Sequence, residues 1–101
     1  MTTDSTIENP IFNTVDELRE YLEAQGHEGT VFFENPSFVK AITGITDSEQ
    51  LIYDYALMIA AAMEEEGWDE ESAVEWIEYN TLRSIPYMGQ YHPIVSLPIN
   101  W

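Results

Sequence analysis

No cysteine occurs among the 101 residues, so disulfide bridges and thiolate chemistry are both excluded. A reducing compartment fits that absence. Positive charge is nearly as scarce. Arg19, Lys40 and Arg83 stand alone against 19 acids, for a net charge of −16. Such a field repels nucleic acid and anionic membrane and attracts basic surfaces. Direct DNA or RNA binding is not expected, because phosphate contact draws on Lys and Arg. No apolar run approaches the length of a membrane span. The opening Met1-Thr2-Thr3-Asp4-Ser5-Thr6 is polar and acidic, unlike a signal peptide. The expectation is a soluble cytoplasmic protein.

Motifs that carry chemistry are missing as well. There is no Gly-x-Ser-x-Gly elbow and no phosphate-cradling loop. Glu64-Glu65-Glu66-Gly67-Trp68-Asp69 lacks the alternating acids of a calcium loop. Glu75-x-x-Glu78 has no histidine partner of the di-iron kind, and His27 and His92 are the only histidines. Paired carboxylates could serve a glycosidase, but that needs a deep cleft for which this chain has little room. No catalytic, cofactor-binding or metal-binding residue is assigned, and no enzyme is expected.

What is present suffices for a core. Hydrophobic residues make up 45% of the chain and aromatics 13%, which argues against disorder. The acids are mostly Glu and clustered, whereas adaptation to high salt would spread them evenly. The length suits one domain. The chain reads as a loose leader over residues 1–13, with Ile11-Phe12 docking, and a single α+β domain over 14–101.

Along the chain, Thr14-Val15-Asp16-Glu17 is a capping box that opens a helix ending near Gly26. His27 falls in a turn and is expected to be exposed. Thr30-Val31-Phe32-Phe33 has the composition of a short strand, broken by Asn35-Pro36. Residues 38–46 and 50–53 flank Asp47-Ser48-Glu49 as a β-hairpin, with Gly44 marking a bulge or close packing. Lys40 is expected to point to solvent. The helix from Tyr55 is apolar nearly all round its first nine residues, which predicts burial. Gly67 ends it. A further helix runs from Glu70 to about Ile85, ahead of Pro86. Its inner face is Ala73, Val74, Ile77, Thr81 and Ser84. Glu71, Glu75 and Glu78 share the opposite face, interrupted by Leu82 and flanked by Trp76 and Tyr79. The stretch from Ile94 to Trp101 alternates as an edge strand limited by two prolines. Together these predict three helices packed on a small antiparallel sheet of three or four strands.

The charge concentrates at the corner between the last two helices. Eight acids lie from Glu64 to Glu78 with no base among them. Asp69 suits an N-cap, and Glu70 and Glu71 suit a first turn, where the helix dipole welcomes negative charge. Glu64, Glu65 and Glu66 occupy a last turn, where the dipole is already negative and each carboxylate costs a few tenths of a kcal/mol. Local rules broken in this way mark functional places. The alternative is a solvated charge run. The candidate partner-binding residues are Glu64, Glu65, Glu66, Trp68, Asp69, Glu70, Glu71, Glu75 and Glu78. Trp68, Tyr87, Tyr91 and Trp101 are aromatics that either anchor an interface or cover the ends of the core.

From Glu64-Glu65-Glu66-Gly67-Trp68-Asp69-Glu70-Glu71 through Ile85-Pro86-Tyr87-Met88-Gly89 to His92-Pro93-Ile94-Val95, the chain resembles a group of small acidic proteins of bacteria, phages and mobile elements. The segment ending Leu51-Ile52-Tyr53-Asp54-Tyr55 is similar too, so the resemblance covers about residues 34–95. That group has no settled activity, so the likeness implies no catalytic residue. In size and charge alone, such proteins resemble anti-CRISPR or anti-restriction inhibitors. The likeness implies a partner with a basic surface, such as a nucleic-acid-binding nuclease complex, occupied by carboxylates in place of phosphates. The alternative is an acidic accessory or regulatory protein that binds a basic partner without mimicry.

Overall fold

The computed structural model describes residues 11–99. Its order is α1 (Val15–Ala24), a 3₁₀ turn (Val39–Ala41), β1 (Ile42–Ile45), β2 (Leu51–Asp54), α2 (Tyr55–Glu66), α3 (Glu70–Trp76) with its helical continuation, and β3 (Ile94–Ser96). The fold is α+β, with three helices and a three-stranded sheet in the order β1-β2-β3. The sheet is mixed rather than wholly antiparallel. β1 pairs antiparallel with β2, and β3 pairs parallel with β2. The two intervening helices form the long crossover that a parallel pair requires.

Local chemistry sets the element ends. The Thr14 hydroxyl accepts from the Glu17 amide at 3.1 Å, while the Glu17 carboxylate reaches past the cap to the Asn13 amide at 2.8 Å. Asp54 caps α2 by accepting from Leu57 N at 2.9 Å. The hairpin closes through Thr46 N to Gln50 O at 2.9 Å, and Glu49 adopts the left-handed region with φ 65°. That is the three-residue loop of a tight turn followed by one left-handed residue. The register shifts between Ile42 and Gly44, so the expected bulge is present.

The core gathers residues from every element. Leu18, Phe38, Tyr53, Tyr55, Met58 and Ile77 are its largest fully buried side chains along with Pro93. Phe12 is buried too and meets Tyr21 edge-on at 5.4 Å, so this end of the leader docks while Ile11 stays exposed. The rest of the expected leader, residues 1–10, and the end of the last expected strand, Asn100 and Trp101, lie outside the described residues.

Three expectations need correcting. Thr30–Phe33 is not a strand. Val31 N donates to Tyr91 O at 3.2 Å, but Pro93, two residues on, has no N–H with which to extend a ladder. Phe33 N donates to the Tyr53 hydroxyl at 3.3 Å instead. α2 is buried on one side only. Tyr55, Met58, Ala61 and Ala62 face the core, whereas Leu57 and Met63 are exposed, because the sheet and α3 cover one flank. His27 is half-buried, with Nδ1 3.2 Å from Glu49 Oε1. Lys40 is exposed as expected, and pairs with Glu64 at the surface.

The last helix also departs from a straight helix. After α3, Ile77–Thr81 forms a π-turn, followed by one α-turn at Leu82–Ser84 and a 3₁₀ turn at Ile85–Tyr87. A π-turn holds an extra residue, so the side chains beyond it are rotated relative to steps of about 100°. Ala73, Ile77 and Thr81 are buried as expected. Leu82, expected among the acids, turns in and packs against the core.

Candidate functional site

The site is built where α2 hands over to α3. α2 ends at Gly67, whose φ of 74° lies in the left-handed region that glycine enters without strain, and its amide donates to Met63 O. Asp69 then caps α3, accepting from Ser72 N at 2.8 Å. That hydrogen bond holds the Asp69 carboxyl below its ordinary range, so it stays charged.

The acids divide into two groups. Four have partners within the fold. Glu64 pairs with Lys40 Nζ at 3.1 Å. Glu65 Oε1 accepts from both the amide and the hydroxyl of Ser37, at 2.9 and 3.1 Å. Asp69 is the cap. Glu78 Oε2 accepts from the Tyr55 hydroxyl at 2.8 Å. Burial of the Tyr55 ring, helped by the Glu78 carboxylate, pushes that phenol up to about 12. The second group is Glu66, Glu70, Glu71 and Glu75. All four side chains are exposed, and none makes a hydrogen bond or ion pair among the described residues.

The bases are engaged as well. Arg19 contacts Asp16 at 3.0 Å and Glu34 at 3.8 Å, and lies over the Phe32 ring. Lys40 holds Glu64, and the Arg83 guanidinium lies 4.6 Å from the Tyr79 ring centroid. None of them neutralises Glu66, Glu70, Glu71 or Glu75 among the described residues.

Of the nine residues singled out from the sequence, the fold thus leaves four carboxylates open and ties four down. Trp68, the ninth, is half-buried and packs tilted against Trp76 with ring centroids 5.3 Å apart. Sequence reasoning placed Trp76 only as a flank of the acid face. Yet Trp76 and Tyr79 are three apart and therefore neighbours on a helix, which was the available signal. The Ser37–Glu65 and Lys40–Glu64 contacts, by contrast, span 28 and 24 residues and leave no local trace in the sequence.

Among the described residues, no group of three or more His, Asp or Glu is placed to hold a metal ion. No helix among them is long and apolar enough to cross a membrane. No family model, curated protein or solved structure matches the chain. The functional reading therefore stands on these residues.

Proposed function

We propose that this chain is an acidic protein-binding module whose carboxylates take the place of phosphates on a basic, nucleic-acid-binding surface, as in a phage-type inhibitor of a CRISPR or restriction complex. The observation that carries the reading is the open set Glu66, Glu70, Glu71 and Glu75, exposed and unmatched by any base among the described residues.

Charge density supports the same choice. Of the open set, Glu70, Glu71 and Glu75 lie on α3 and span five residue steps, roughly 7.5 Å at about 1.5 Å per residue, or about one charge per 3.8 Å. Duplex DNA carries one phosphate per ~3.4 Å on each strand and one per ~1.7 Å on both. The helix thus approximates one strand, which is what a basic groove gripping a single backbone meets. Lys and Arg on the partner would form charge-assisted hydrogen bonds with these carboxylates. Association would be steered, fast and weakened by salt.

The test is displacement. A labelled DNA duplex is bound to a nuclease effector, and its fluorescence anisotropy is followed as the protein is added. The expected result is release of the DNA, at concentrations that rise between 50 and 200 mM salt. A ternary complex, with DNA still bound, would replace mimicry by the accessory-module reading.

A further inference from the structure

Beside the acid run, α3 and its π-turn carry a shallow groove lined by Trp68, Ser72, Glu75, Trp76, Tyr79 and Asn80. Three aromatic rings and one carboxylate therefore face a common space. Trp68 and Trp76 pack tilted at 45°, with ring centroids 5.3 Å apart, rather than in a flat stack. Trp76 and Tyr79 are exposed, at 38% and 59%. Contiguous exposed apolar surface rimmed by polar groups marks a place of interaction.

We propose that this groove seats one arginine side chain of the basic partner, with the guanidinium against the indole faces and its N–H groups on the Glu75 carboxylate. The inference rests on the partner being basic and names the side chain that it would insert. Three observations select the occupant. A net charge of −16 turns away anionic groups and draws cations. An apolar occupant would desolvate Glu75 without giving it a partner. The Arg83 guanidinium already lies on Tyr79 at 4.6 Å, so the place left for a guest is against Trp68 and Trp76, which carry no cation among the described residues. Arginine is preferred over lysine because its planar group stacks on a ring and meets a carboxylate with two parallel N–H groups, whereas the ammonium is compact and more strongly hydrated.

The test uses the full chain and the peptide acetyl-Gly-Arg-Gly-amide, with citrulline and lysine versions as the other arms. The indole N–H resonances of Trp68 and Trp76 are followed by NMR. The arginine peptide should move both saturably, with a Kd on the order of millimolar. The citrulline peptide, which keeps the shape and loses the charge, should leave them unmoved, and the lysine peptide should bind at least threefold more weakly. Glu75→Gln, an exposed change that leaves the fold intact, should weaken the arginine peptide at least threefold, and Trp76→Ala should abolish saturation. Equal shifts from citrulline, equal binding of lysine, or binding unaffected in both variants would overturn the proposal. If DNA is not displaced from the effector while these shifts appear, mimicry falls and the groove stands. If DNA is displaced and the shifts are absent, the groove alone falls.

Discussion

Replacing Glu65 by alanine separates structural from functional acids at the helical corner. Glu65 lies in the last turn of α2, where the helix dipole disfavours a carboxylate by about 0.3–1 kcal/mol. On that ground alone its removal should stabilise the protein. The structure predicts the reverse. Its carboxylate accepts from Ser37 N at 2.9 Å and from Ser37 Oγ at 3.1 Å, and Ser37 is buried at 8% exposure. Hydrogen bonds to charged groups contribute about 1.5–3 kcal/mol net, and a buried donor left unsatisfied costs about 1–3 kcal/mol. These figures describe the same loss and are not summed. After subtracting the dipole relief, Glu65→Ala should cost about 0.5–2.7 kcal/mol. At roughly 4–8 °C per kcal/mol for a domain of this size, Tm should fall by about 2–22 °C. Glu66→Ala is the matched control. Glu66 is exposed and has no hydrogen bond among the described residues, so its removal should shift stability by no more than about 0.5 kcal/mol. Thermal unfolding followed by circular dichroism measures both. If Glu65→Ala were as stable as Glu66→Ala or more so, the tie between α2 and the Ser37 loop would be without consequence.

Two further predictions concern the same helices. Leu82→Ala should cost about 1–2.5 kcal/mol, part of the range for a fully buried leucine, because the π-turn directs this half-buried residue to the core; a cost near zero in denaturant unfolding would mean that it belongs to the acid stripe. At alkaline pH, Tyr55 keeps its proton in the folded state up to about 12 while an unfolded tyrosine loses it near 10, so the stability it contributes is whole below about pH 10 and declines as pH rises towards 12. Urea midpoints from pH 9 to 12 should show that decline, and Tyr55→Phe should lessen it and remove a late step in phenolate absorbance; midpoints flat to pH 12 would contradict the assignment.

The sequence disclosed what is decided within a few residues. The Thr14 cap, the Asp69 cap, the Gly67 stop, the bulge at Gly44 and the inner face of Ala73, Ile77 and Thr81 all follow from local spacing, and all are present. What it withheld depends on partners far along the chain. Thr30–Phe33 has a strand's composition, but Val31 bonds to Tyr91, and Pro93, two residues on, has no N–H with which to continue a ladder. The triple glutamate reads as one unit, yet Lys40 and Ser37 take two of its members and leave Glu66. A projection in equal steps cannot anticipate a π-turn, so Glu78 and Leu82 were placed with the open acids when Tyr55 and the core claim them. The open surface is therefore smaller than the acid run suggested, and it lies on the α3 side of the corner.

Neutralising that surface tests the account most directly. Glu66, Glu70, Glu71 and Glu75 would be changed together to glutamine, which keeps size and helix propensity, and the variant titrated against the effector–DNA complex beside the wild-type protein. The account predicts unchanged thermal stability within about 1 kcal/mol, a loss of DNA displacement of at least tenfold, and a shallower dependence on salt. Displacement equal to wild type, with the same salt dependence, would contradict it.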